Sequence, residues 1–125
     1  MKLDRTLEKE IKAANGDGSR EAKFELLRKI KEAQKEFSTP KVITSFTEIS
    51  RKHGRAVTAI CVAATLWARR DRLEGWRLRW AELVLALWTT KPAISGADCA
   101  VIDDGLHPTR ICEYAASFIN YTTEC

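Results

Sequence analysis

Residues 55–88 read RAVTAICVAATLWARRDRLEGWRLRWAELVLALW, and the fold turns on how this stretch is divided. From Ala56 to Ala68 only Thr58 and Thr65 carry polar side chains, so a helix through these residues is apolar on every side and has to occupy the middle of a fold. The run stops at Arg69-Arg70-Asp71-Arg72, short of the roughly 18 uncharged apolar residues that a membrane-spanning helix requires. After that charged break, Trp76 to Trp88 predicts a second core helix. Trp76, Trp80, Leu83 and Leu87 fall on one stripe of it, with Leu78, Leu85 and Trp88 beside them. The expected architecture is an all-α, compact, single-domain helical bundle of about five to seven helices around a central apolar helix pair, residues 55–70 and 76–88.

Outward from this pair, the N-terminal third reads as a charged helical hairpin, residues 1–38. Leu3, Leu7, Ile11 and Ala14 recur at helical spacing and end at Asn15-Gly16-Asp17-Gly18, a turn. Ser19 is placed to cap a second helix whose apolar stripe is Phe24, Leu27, Ile30, Ala33 and Phe37, closed by Ser38-Thr39-Pro40. Ser45-Phe46-Thr47-Glu48 has the spacing of a capping box and predicts a short third helix. That helix ends at Gly54, after Arg51-Lys52-His53, where cations complement the helix dipole. Residues 45–90 thus hold the core helices. Residues 91–125 follow Lys91-Pro92 as a C-terminal loop and helix, with a short helix expected over Ala97–Ile102. A last one is expected on Ile111, Tyr114, Ala115, Phe118 and Tyr121, after His107-Pro108-Thr109. No internal repeat or low-complexity stretch is present.

With 125 residues, 45% of them hydrophobic and 30% charged, the chain is an ordinary globular domain that can bury about two-thirds of its unfolded surface without staples. The net charge of +4 is unevenly distributed. Residues 1–55 carry 14 Lys/Arg against 9 Asp/Glu, residues 56–90 carry 5 against 3, and residues 91–125 carry 2 against 5. A basic front of this kind favours encounter with an anionic partner. The charged start Met1-Lys2-Leu3-Asp4-Arg5 lacks the apolar region of an export signal, so a cytoplasmic location is expected. Cys61, Cys99, Cys112 and Cys125 are then expected as free thiols.

Two features suggest binding. Ser45 to Leu66 resembles a helix-turn-helix: a short capped helix, a glycine at the turn, then a helix with Val57 and Ile60 on its apolar face. The resemblance implies that the second helix enters the major groove, where Arg55 and Thr58 near its start could hydrogen-bond to base edges; Arg51 and Lys52, with Arg55, belong to the basic front offered to nucleic acid. Ser50 stands where that motif usually has a small alanine, and His53 where it prefers an apolar residue. The second feature is the junction Arg69, Arg70, Arg72, Trp76, Arg77, Arg79 and Trp80. Guanidinium forks clamp phosphates and indole faces stack on bases. The same residue types anchor protein–protein interfaces, and the bland alternative is that the arginines complement a helix C-terminus while the tryptophans are core.

Catalysis and metal binding find less support. Cys99, His107, Cys112 and Cys125 are suitable zinc ligands but lack a close C-x-x-C pair, and Asp98, Asp103 and Asp104 read as turn chemistry. His53 and His107 have no visible nucleophile partner, and the Gly16-Asp17-Gly18 turn follows no strand, as a phosphate loop would. The expected function is that of a non-catalytic binding or regulatory protein without a cofactor, associated with nucleic acid or with a nucleic-acid-binding protein complex. The alternative is a phage- or mobile-element-type inhibitor, anti-CRISPR-like in size and style, that blocks a host nuclease by protein contact. No membrane association is expected. A homodimer is, because two nearly all-apolar helices and four tryptophans carry more apolar surface than the remaining helices would cover.

Overall fold

The computed structural model describes residues 2–38, 46–72 and 75–88, together with Phe118. Five helices follow one another: α1 (Arg5–Ala14), α2 (Arg20–Ser38), α3 (Phe46–His53), α4 (Arg55–Ala68) and α5 (Trp76–Trp88). A 3-10 turn, Arg70–Arg72, lies between the last two. The fold is compact and all-α, with no strand among the described residues. None of the described helices is long and apolar enough to cross a membrane.

α4 is the axis around which the others are laid. Its eleven consecutive residues Ala56 to Leu66 are all buried, and it packs against α1, α2, α3 and α5. Ala59, Ala63 and Ala64 allow neighbouring helices to approach closely, while Val57, Ile60, Val62 and Leu66 fill the spaces between them. Each large apolar side chain so enclosed contributes about 1.5–3 kcal/mol relative to exposure. The polar groups inside this helix are satisfied locally. Thr58 Oγ1 donates to the Gly54 carbonyl at 2.8 Å and Thr65 Oγ1 to the Cys61 carbonyl at 2.9 Å. The Cys61 thiol donates to the Ile30 carbonyl of α2 at 3.5 Å, and its burial pushes the thiol pKa up to about 12. It is a free cysteine that packs as a small apolar residue.

The first two helices each pack on α4 more than on one another, and the turn between them is pinned to α5. Asp4 caps α1 through Thr6 N, and Ser19 caps α2 through Ala22 N at 3.2 Å. Gly16 holds φ +61 where a Cβ would stand 3.2 Å from that of Ala22, so any other residue at this turn would be strained and crowded against the first turn of α2. Asn15 Nδ2 donates to the Leu87 carbonyl at 2.8 Å, tying this turn to the last turn of α5. Between α3 and α4 the chain reverses on a single residue, Gly54, at φ +89. A side chain there would have room but would be strained by the backbone.

Two expectations are corrected. The buried stripe of α2 is Leu26, Ile30, Ala33 and Phe37, not one that starts at Phe24: that ring is 59% exposed beneath the Arg20 guanidinium, and Leu27 is only partly covered. In α5 the fully enclosed face is Trp80, Ala81, Val84, Leu85 and Trp88, while Trp76 and Leu87 sit partly buried at its margin. The central apolar pair is found as expected to within two residues, its first helix closing at Ala68 where the chain tightens into the 3-10 turn. The surplus apolar surface on which a second copy was expected is not found among the described residues, whose one large exposed hydrophobic is Phe24. The Ser45 capping position, the helices expected at Ala97–Ile102 and Ile111–Tyr121, and the cysteine and aspartate groups of residues 91–125 lie outside the described residues, save Phe118.

Candidate functional site

The turn between α4 and α5 gathers five arginines at one end of the core pair. As α4 ends, its last carbonyls lack helical donors, and arginines supply them: Arg69 Nη1 lies 3.5 Å from the Thr65 carbonyl and Arg70 Nη1 3.1 Å from that of Trp67. Arg70 also places its guanidinium over the Trp67 ring, 4.9 Å from the centroid. The backbone N–H of Arg72 donates to the Arg69 carbonyl at 3.0 Å and closes the 3-10 turn, leaving the Arg72 side chain in solvent. Beyond Gly75, which accepts the Arg79 N–H at 3.3 Å, α5 opens with a second stack in which the Arg77 guanidinium lies 4.9 Å from the centroid of Trp76. Each such stack contributes about 0.5–1 kcal/mol at an exposed site.

The charges at this end are weakly compensated. Arg79 reaches Glu82 at 3.4 Å, one turn along α5. Among the described residues, Arg70, Arg72 and Arg77 have no carboxylate within ion-pair distance, and Arg77 Nε is buried without a hydrogen-bond partner.

The basic front is built differently. Lys12 pairs with Glu8 at 3.0 Å. Arg28 bridges Glu25 and Glu32, drawing the Glu25 carboxyl below its usual range. Lys52 reaches from α3 to Glu36 of α2 at 2.6 Å, and Arg55 lies 3.5 Å from Asp4. Arg51 is exposed on α3. Thr58 is a correction to the expected site. It is fully buried with its hydroxyl already donating to Gly54, so it faces no surface. The helix that would have entered a DNA groove is the core of the protein, covered from Ala56 to Leu66, and α3–Gly54–α4 is therefore a packed helix pair joined by a tight turn.

Trp80 is the second correction. It is fully enclosed and stacked on Phe118 with centroids 5.3 Å apart and planes at 26°, so it belongs to the core. Trp76, four residues earlier on the same helix, is only partly buried. The residue that sequence reasoning missed is Trp67, counted with the apolar run although it too is only partly buried. The signal was Arg70 three residues on, a spacing that places a cation over the ring of the preceding turn. No group of three or more His, Cys, Asp or Glu side chains among the described residues is arranged to hold a metal ion. No protein-family model matches this chain, and neither a curated protein nor a solved structure matches it.

Proposed function

We propose that this chain is a non-catalytic binding protein of the cytoplasm. It engages nucleic acid, alone or within a nucleic-acid-handling complex, through the arginine end of the α4–α5 pair. The observation that supports this reading is the group Arg70, Arg72 and Arg77, unpaired with carboxylates among the described residues, with Arg70 and Arg77 over the partly buried rings of Trp67 and Trp76 and Arg72 in solvent. Unpaired guanidinium groups displace counterions from phosphates, and the planar Trp–Arg stacks offer platforms on which unpaired bases can lie.

The test is a mobility-shift titration with single-stranded and duplex DNA of equal length at several salt concentrations. Three phosphate contacts predict a log–log salt slope of about −2 for single strands and nearer −3 for duplex. Absence of a shift at low salt overturns the reading, as does binding indifferent to joint substitution of Arg70, Arg72 and Arg77. Trp and Arg are also the usual anchors of protein interfaces. The alternative, an anti-CRISPR-like inhibitor acting by protein contact, is favoured if the same variant fails to hold a nuclease-treated protein complex that the parent chain retains.

A further inference from the structure

The chain has two asparagines, Asn15 and Asn120, and of these Asn15 alone precedes a glycine. An Asn-Gly pair is prone to deamidation, because glycine has no side chain to shield its own nitrogen from the neighbouring Cγ. The Gly16 nitrogen, once its proton has passed to a base in solvent, bonds to Asn15 Cγ. The Cγ–Nδ2 bond then breaks, ammonia leaves with a proton from solvent, and a five-membered succinimide remains. Water opens that ring at either carbonyl, giving aspartate or isoaspartate. The net change turns an amide and water into a carboxylate and ammonium, with no oxidant or reductant.

The fold holds Asn15 out of this reaction. Its Nδ2 donates to the Leu87 carbonyl at 2.8 Å, fixing the side chain to the last turn of α5. The Gly16 N–H donates to the Ala13 carbonyl at 3.0 Å, and Asn15 keeps helical angles, φ −70 and ψ −14, that turn the Gly16 nitrogen away from Cγ. Both bonds have to break before the ring can close, and Gly16, Asp17 and Gly18 are exposed to the water and base that the reaction consumes. The product does not fit the same place. A carboxylate has no proton for the Leu87 carbonyl, and it would stand where α1 and α5 both end, each with the negative end of its dipole. The neighbouring Asp17-Gly18 pair is not equivalent. Cyclisation of an aspartate needs a protonated carboxyl, and the Ser19 hydroxyl and backbone N–H hold that of Asp17 below its ordinary value. We propose that Asn15 is a deamidation site gated by its bond to Leu87, and that its conversion irreversibly releases the α1–α2 turn from α5. The arginines lie at the other end of α5, so this proposal and the nucleic-acid reading stand or fall separately.

The experiment incubates the full-length chain at mildly alkaline pH, folded and in denaturing urea, and follows residue 15 by peptide mass mapping with an isoaspartate assay. Acid is expected at this position in both, at least about tenfold more slowly in the folded chain, equivalent to 1.4 kcal/mol of local opening. Asn15→Asp, which installs one of the two products, should speed amide hydrogen exchange in the last turn of α5 at least about tenfold over the parent. Asn15→Ala, which removes the donor without adding a charge, should speed it less; should Asn15→Asp not fold, Asn15→Ala against the parent decides. The proposal is overturned if the folded chain converts within about tenfold of the unfolded rate, or gives no acid at residue 15 over weeks. It is equally overturned if the exchange of the substituted chain matches that of the parent.

Discussion

The helices of the front, α1 to α3, hold more cations than the α4–α5 turn, yet the two regions present charge in different ways. At the front, Lys12, Arg28 and Lys52 each reach a carboxylate, as does Arg55 at the start of α4, while among the described residues Arg5, Lys9, Lys31 and Arg51 have none within ion-pair distance. At the turn, Arg70 and Arg77 lie on indole faces and Arg72 projects into solvent, and none of the three meets a carboxylate among the described residues. A guanidinium over an aromatic ring keeps its full charge and most of its donors, whereas one in a carboxylate fork has spent both. What sets the turn apart is therefore the close grouping of its cations and their placement on indole faces, more than the count of basic residues.

The sharpest way to break this comparison is to show that the tryptophans of α5 are equivalent. Trp80→Ala removes a fully enclosed ring and its stack on Phe118, and should cost about 3–5 kcal/mol in chemical denaturation, a large part of the stability of a domain this size. A loss below about 1 kcal/mol would place Trp80 with the partly buried Trp76 and return it to the binding surface. The next largest effect concerns binding itself. Joint substitution of Arg70, Arg72 and Arg77 by glutamine should lower nucleic-acid affinity at least tenfold at low salt and flatten the salt slope by about 2 units, with the helical circular dichroism kept. The matched front variant, Lys12, Arg28 and Lys52 to glutamine, should change affinity by no more than about twofold, because those charges are already compensated. Reversal of the two outcomes would move the interface to the front.

Smaller still is the effect expected at Thr58. Its hydroxyl shares the Gly54 carbonyl with the Thr58 backbone N–H, so Thr58→Val leaves that acceptor satisfied. Stability should move by less than about 1 kcal/mol in either direction, and nucleic-acid binding should not move. A marked loss of binding with an unchanged melting profile would revive the groove-reading helix.

The central helix was legible in the sequence because nothing else explains thirteen residues with only two small hydroxyls among them, and its burial on all sides follows from the same fact. The faces of α2 and α5 were not legible to the same degree. α5 is apolar around most of its circumference, so periodicity does not choose between the Trp76–Leu83 stripe and the Trp80–Val84–Trp88 stripe; the packing of α4 and α1 does. In α2, Phe24 and Leu26 compete for the core, and the stripe through Leu26 wins where α4 lies against it, leaving Phe24 to Arg20. The arginine end was visible as composition. Its pairing state was visible only in part: Glu8–Lys12 and Glu25–Arg28–Glu32 stand at helical spacing, but Glu36 and Lys52, 16 residues apart, meet only through the packing of α2 on α3.

That long-range pair supplies the smallest and most discriminating prediction. The Lys52 ammonium, and to a lesser degree His53, hold the Glu36 carboxyl below its ordinary value of 4.5. A carboxylate whose folded pKa is depressed stabilises the fold above its unfolded pKa, and the contribution fades as pH falls through the lower, folded value. Glu36→Gln should therefore cost no more than about 1 kcal/mol at neutral pH, with the gap between variant and parent closing as the pH falls below about 4.5. The same substitution uncovers Lys52, converting one front cation from the paired to the unpaired kind without touching the arginine end. If the location of the interface is set by the grouped cations of the α4–α5 turn, affinity for nucleic acid should rise by no more than about twofold, the increment of one exposed charge outside the contact. A tenfold rise would mean that the front is an interface held closed by its own glutamates.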